Sequence, residues 1–256
     1  MSLNNKRVLI TRPNEQAEYL SGLITSHGGI SVRFPTVEIQ PLDKTNELMK
    51  CFDEISSYDF IIFISRNAAK IAIEKFFKNF DLIKNIQLVA IGPSTAKILS
   101  SSNLENIIFP HNNVDSEGLL NLEEMQSDNI FEKKILIIRG VGGRELLAES
   151  LKQRGGTVNS IEIYERKLPV YGEREIKEAW YDNSPDAIVV TSNEVVNNLV
   201  VLLKNDTKKL FSTPLVTISE RIADYAKQKG FISKIFVAKE KNDDGILTGL
   251  IELFGD

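Results

Sequence analysis

The sequence predicts an α/β fold of two similar lobes with parallel sheets, and three observations predict it. The chain repeats itself at one constant spacing, its most apolar runs are short and β-branched, and a helical pattern ending in glycine follows the first such run of each repeat.

The repeat organises everything else. Lys6 to Arg12 (KRVLITR) falls on Lys133 to Arg139 (KKILIIR), an offset of 127 residues, and Gly28-Gly29 falls on Gly155-Gly156 at the same offset. Tyr58 to Ser65 matches Pro185 to Ser192, Leu88 to Gly92 matches Leu215 to Ser219, and Glu117 to Leu120 matches Asp244 to Leu247. A register held without gaps over five landmarks marks the chain as a duplication.

Each copy reads alike. Val8-Leu9-Ile10 and Phe60-Ile61-Ile62-Phe63-Ile64 are apolar on consecutive residues, as parallel strands covered on both faces require. After the first, Ala17, Leu20, Leu23 and Ile24 recur at helical spacing and stop at Gly28-Gly29, where glycine accepts the left-handed cap. Leu147 and Leu151 before Gly155-Gly156 repeat the pattern. Two alternating segments, Val37 to Pro41 and Ile161 to Arg166, are read either as a paired two-stranded hinge or as the last strand of each sheet.

Composition narrows the function. Apolar content of 42% with 26% charged residues suits a soluble globular protein, and a net charge of −4 argues against a non-specific nucleic-acid binder. The start MSLNNKR lacks an apolar stretch of signal-peptide type, and no later run reaches membrane-spanning length, so a cytoplasmic protein without membrane partners is expected. The single cysteine, Cys51, sits among Leu48, Met49, Phe52 and Ile55 and reads as a small buried hydrophobe. His27 and His111 have no ligand-like neighbours, so no metal site is expected.

In open parallel sheets ligands bind beyond the carboxyl ends of the strands. The residues there are rich in hydroxyls, glycine and arginine, and we single out Thr11, Arg12, Ser65, Arg66, Asn67, Ser94, Thr95, Arg139, Gly140, Arg144, Ser192, Asn193 and Ser219 as candidate substrate contacts. Each serine, threonine or asparagine taken alone fits a helix cap better than a substrate contact; together, hydroxyls and helix N-termini on both lobes make an anion site. Arg139 to Arg144 (RGVGGR) follows a strand as a dinucleotide fingerprint does, but Glu145 occupies the place of the third glycine, and neither a phosphate-binding G-x-x-x-x-G-K-[ST] nor a nucleophile G-x-S-x-G occurs. No cofactor is therefore expected.

Taken in order, VLITRP at Val8 to Pro13, IIFISRNAA at Ile61 to Ala69, AIGPSTAK at Ala90 to Lys97, SEGLL at Ser116 to Leu120, LIIRGVGGRELLAESLKQRGG at Leu136 to Gly156 and IYER at Ile163 to Arg166 resemble the uroporphyrinogen-III synthase family over nearly the whole chain. Ser219-Glu220-Arg221 departs from the Gly-Pro-Thr-like turn of many relatives, so a hydroxyl role at that corner rests on Ser219. The resemblance implies two three-layer α/β/α lobes, swapped so that the first β-α-β of each half completes the other half's sheet and joined by a two-stranded hinge. Lobe one then comprises residues 1–37 and 168–256, lobe two residues 42–160, with hinge strands at 38–41 and 161–167.

The implied activity is that of a cofactor-independent hydro-lyase. It closes a linear tetrapyrrole, hydroxymethylbilane, into a ring with ring D inverted and water lost, and the enzyme is expected to work as a monomer. Substrate carboxylates would meet backbone N–H groups, hydroxyls and rim arginines. Tyr164 is the matched phenol, either donating a proton to the leaving hydroxyl, orienting it by a hydrogen bond, or packing at the hinge. The competing reading is a bilobed cytosolic binding or sensor protein.

Overall fold

A computed structural model describes residues 2–43, 45–77, 79–182 and 184–255. By contacts the chain divides into two compact units, one of residues 1–38 and 167–256 and one of residues 39–166. Eleven strands lie among the described residues: β1 (Arg7–Ile10), β2 (Ile30–Arg33), β3 (Glu38–Pro41), β4 (Phe60–Phe63), β5 (Gln87–Ala90), β6 (Ile107–Ile108), β7 (Lys134–Gly140), β8 (Thr157–Lys167), β9 (Ala187–Val190), β10 (Leu215–Thr217) and β11 (Ile235–Val237).

The first unit carries a parallel sheet in the order β11-β10-β9-β1-β2, so the N-terminal β-α-β completes a sheet whose other strands come from the C-terminal third. The second carries β3-β8-β7-β4-β5-β6, parallel from β8 to β6. Without β3 the two orders are the same arrangement, with β1 and β2 standing where β7 and β8 stand. The duplication is thus a swap, each sheet joining strands of one copy to strands of the other.

Alternation of side chains along each strand buries both sheet faces. In the second unit Ile61, Phe63, Leu88 and Ile138 pack under helices Asn46–Asp53, Arg66–Ile71 and Pro93–Ser100, while Ile62, Val89, Ile135 and Ile137 pack against Leu119, Leu147 and Leu151 on the opposite side. In the first, Val8, Ile10, Val189 and Val216 meet helices Asn14–Ser26 and Asp243–Phe254. Leu9, Ile188, Val190 and Leu215 are equally buried, as are Val196 and Leu199 of helix Asn193–Leu202 and Ile222 and Ala226 of helix Glu220–Gln228. Each unit is a three-layer α/β/α sandwich. Cys51 lies on helix Asn46–Asp53, half-buried against the first of these faces.

The repeat extends to single hydrogen bonds. Asp186 accepts the Arg7 N–H at 2.8 Å and the Lys6 ammonium at 3.0 Å; Asp59, its counterpart, accepts the Lys134 N–H at 2.8 Å and the Lys133 ammonium at 3.2 Å. Asp115 caps Gly118 at 2.7 Å as Asn242 caps Gly245 at 2.8 Å. Gly28 and Gly155 both take positive φ, +75° and +88°, at their helix ends.

The two alternating segments do pair, β3 beside β8, but β8 is also bonded along its length to β7. They are therefore the edge strand and its neighbour in one six-stranded sheet, and the expected hinge strand 161–167 is the second half of a strand that begins at Thr157. Its counterpart in the first copy is broken into β2 and β3 because Pro35, which has no N–H to donate, stands where Glu162 stands in β8.

Candidate active site

Every parallel strand of the second unit ends at the same edge of its sheet. Ser65 follows β4, Gly92 to Thr95 follow β5, Asp115 and Ser116 follow β6, and Arg139 and Gly140 end β7 with Val141 to Arg144 after them. Ser65 caps helix Arg66–Ile71, its oxygen accepting the Ala68 N–H at 2.9 Å. The same hydroxyl meets the Tyr164 phenol at 2.9 Å.

Tyr164 reaches Ser65 through a β-bulge. Arg139 pairs with Glu162 and Gly140 with Tyr164, leaving Ile163 as the extra residue, while the Val141 N–H donates to the Tyr164 carbonyl at 2.9 Å. A bulge turns a side chain that strict alternation would send to the other face. Ile161, Ile163 and Tyr164 consequently all join one core cluster. Gly140 is the floor under the ring: a Cβ there would lie 2.5 Å from Tyr164 Cζ.

Two further phenols are tied up otherwise. Tyr171 donates to the Pro35 carbonyl at 2.8 Å, and burial, with Glu175 and Glu38 adding to it, pushes its pKa up to about 12. Tyr58 accepts from Asn159 at 2.8 Å, and burial raises its pKa against that hydrogen bond.

Around the Ser65–Tyr164 pair, Ser94 and Arg66 are exposed and Asn67 is half-buried. Thr95 is covered, its hydroxyl making no hydrogen bond among the described residues. Arg139, mostly buried, holds Glu145 at 2.5 Å and Glu162 at 3.5 Å. Arg144 is exposed and pairs with Glu117 at 3.2 Å. A cavity of about 200 Å³ lies between Arg139, Arg144, Ser116, Ile64 and Leu147.

The remaining candidates occupy the corresponding edge of the first unit. Thr11 is fully buried, its hydroxyl donating to the Val189 carbonyl at 2.5 Å, so it braces the β1–β9 pair. Arg12 bonds Asp243 at 2.7 Å and the Gln16 carbonyl at 3.2 Å. Ser192 caps helix Asn193–Leu202 through the Val195 N–H at 3.2 Å, the role Ser65 plays in the other unit. Asn193 Oδ1 is buried with no hydrogen-bond partner among the described residues, and Ser219 makes no side-chain cap to helix Glu220–Gln228. The bulge, the Gly140 floor and the cavity were beyond sequence reasoning. Asp243 was missed too, although its offset from Ser116 was available.

Among the described residues no group of three or more His, Cys, Asp or Glu stands together to hold a metal ion, and no helix is long and apolar enough to cross a membrane.

The family described as uroporphyrinogen-III synthase HemD matches residues 18–248. The uroporphyrinogen-III synthase of Escherichia coli K12 is 30% identical over 246 residues, covering 95% of this chain and 99% of that protein. The Salmonella typhimurium enzyme is 31% identical over 248 residues, again 95% and 99%. Among solved structures, the Helicobacter pylori uroporphyrinogen-III synthetase superposes with a TM-score of 0.64 at 17% identity, over 97% of this chain and 99% of that one. A mutant of the Thermus thermophilus enzyme gives a TM-score of 0.55 at 14% identity, over 98% and 99%.

Proposed function

As this chain belongs to the uroporphyrinogen-III synthase family, we propose that it closes hydroxymethylbilane into the ring-D-inverted macrocycle, releasing the substrate's hydroxyl as water. It works as a cofactor-independent lyase, as a monomer in the cytoplasm. The bilane also closes without help and without inversion, so the protein's task is to hold a flexible polyanion where the inverting route is faster.

The observation that carries the residue-level reading is the hydrogen bond between Tyr164 and Ser65 at the carboxyl edge of the second sheet. Ser65 accepts from the Ala68 N–H, so its own proton is available to the phenol oxygen, and the phenol proton is then left for a departing hydroxyl. Donors in such a chain polarise one another. A phenol O–H placed in this way is suited to donate a hydrogen bond to a leaving group. Hydroxyls and arginines along the sheet edges, Ser94, Arg66, Asn67, Arg139 and Arg144 in one unit and Ser192, Asn193 and Ser219 in the other, supply contacts for substrate carboxylates, while Arg12 is taken up by Asp243 and Thr11, Thr95 and Gly140 shape the edges from below.

The test is the rate of inverted product from hydroxymethylbilane, with spontaneous closure subtracted. Tyr164→Phe keeps the ring on Gly140 and removes only the donor, and turnover is expected to fall about 10²-fold, the lower range for positioned acid–base help. Ser192→Ala, which removes a cap and no phenol partner, is expected to change turnover less than about tenfold. Normal turnover in a folded Tyr164→Phe protein would assign the phenol to packing alone.

A further inference from the structure

The two copies differ at one matched pair of residues beside the cavity. Arg12 and Arg139 are equivalent in the repeat, and so are Asp243 and Ser116, which open equivalent helices at the same point behind their caps Asn242 and Asp115. In the first unit Asp243 fills the place facing the arginine, 2.7 Å from its guanidinium, with both side chains largely buried. In the second, the short hydroxyl of Ser116 stands there, and a cavity of about 200 Å³ opens beside Arg139 and Arg144.

A second difference enlarges that cavity. Helix Asn14–Ser26 starts two residues after Arg12, whereas helix Leu146–Gln153 starts seven residues after Arg139, so Val141 to Glu145 form a loop where the first copy has its first helical turn. The cavity walls are apolar at Ile64, Leu147 and Ala148, and Asp115, the acidic residue on its lining, is engaged by the Gly118 N–H. At about 30 Å³ per water molecule, the space has room for several water-sized groups, the scale of a short carbon arm ending in a carboxylate.

We infer that this cavity is a subsite for one carboxylate-bearing side arm of the substrate, and that Asp243 is the internal counterpart of that arm in the other unit. Apolar walls take the methylene carbons, and Arg139 and Arg144 take the charge. Glu145 and Glu162 hold Arg139 from its loop side and fix the guanidinium in place. The inference rests on the proposed function for the identity of the ligand, and Ser116 becomes a specificity-determining position: a small residue there leaves the space beside the arginines open to the substrate's arm, and a carboxylate would fill it.

The test restores the carboxylate. Ser116→Asp is expected to raise KM for hydroxymethylbilane about tenfold with kcat within about twofold, because the new side chain occupies the subsite and sets a like charge against the substrate's carboxylate. Ser116→Asn, of the same shape without charge, is expected to raise KM less than threefold, and Arg144→Gln, on an exposed side chain, about threefold to tenfold. Binding of uroporphyrin, a stable octacarboxylate, followed by its fluorescence anisotropy, gives the same ranking independently of turnover, with thermal melting confirming that each variant is folded. Equal KM and equal uroporphyrin affinity for wild type and a folded Ser116→Asp would overturn the subsite. A wild-type protein that binds uroporphyrin with this ranking yet makes no inverted product would overturn the proposed function and leave the carboxylate subsite standing.

Discussion

In the unit built on β9 and β10, the arginine that ends β1 is answered from inside the protein, Arg12 bonding Asp243 at 2.7 Å with the two side chains 12% and 17% exposed. In the unit built on β4 and β5, the matching arginine that ends β7 faces Ser116 and a cavity, and is held from the loop side by Glu145 and Glu162. Similar divergence runs along the same edge. The counterpart of Tyr164 is Val37, buried and without a hydroxyl, while Ser192 keeps the capping role of Ser65 without a phenol against it. Parts that build the sheet, such as the aspartate clamps and the glycine turns, stayed alike after duplication. Those that ring the carboxyl edge differ, with a buried ion pair on one side and, on the other, a cavity with apolar walls rimmed by two arginines.

The sharpest way to break that comparison is to empty the two matched positions. Asp243→Ala strands the Arg12 guanidinium in a largely buried place, and removing one partner of such a pair costs about 3–5 kcal/mol, the lower end applying to a pair with some exposure. Ser116→Ala removes no charge partner and should stay within about 0.5 kcal/mol of wild type. Urea unfolding of the two variants reads the difference. Equal, small losses would mean that the Arg12 pair is screened by solvent and that the two edges are energetically alike.

Much of this architecture was legible beforehand because duplication doubles the signal. Apolar runs such as Phe60 to Phe63 and Ala187 to Val190 stand in register, and Gly28 and Gly155 end their helices at one offset. Less was legible at the site, for geometric reasons. A bulge at Ile163 leaves no mark in the alternation of Ile161 and Ile163, yet it turns Tyr164 onto the face where Ser65 waits. Whether a strand-end residue is open or covered also depends on its neighbours: Thr11 and Thr95 are buried and Ser94 is exposed, though all three carry hydroxyls just beyond apolar strands. The break between β2 and β3 turned on Pro35, whose effect on strand continuity shows only beside Glu162 in the other copy.

The glycine turns test whether the parts shared by the two copies are equally rigid. A Cβ on Gly118 would lie 1.8 Å from the Asn113 carbonyl oxygen, and one on Gly245 would lie 2.2 Å from the Glu240 carbonyl oxygen. Backbone must move in both cases, so Gly118→Ala and Gly245→Ala should each cost about 1–3 kcal/mol, the range for overpacking, with Gly118→Ala the worse. Thermal unfolding followed by circular dichroism measures it. A harmless alanine at either position would show that turn to be deformable and the resemblance between the copies to be superficial there.

The smallest effect concerns the clamps, and pH separates it from noise. Burial acts to raise the Asp59 carboxyl, but the Lys134 N–H and the Lys133 ammonium outweigh it and hold its pKa below the ordinary 3.8. A depressed carboxyl contributes stability that is fully present above its unfolded pKa and is lost as pH falls through the folded value. Asp59→Asn keeps the shape, gives up the charge and therefore forfeits that contribution at neutral pH. With Asp59 38% exposed and Lys133 46% exposed, solvent screening limits the loss to less than about 1 kcal/mol. The gap between wild type and Asp59→Asn should be constant from pH 7 to about 5, then narrow as pH falls below the ordinary carboxylate value, because the wild-type carboxyl takes up its proton and the variant has none to take. Urea midpoints at several pH values, with Asp186→Asn run alongside at pH 7, give both the slope and the comparison between copies. A gap that widened in acid would mean that Asp59 is not stabilised as an anion, and that the clamp is held by the shape of the turn rather than by its charge.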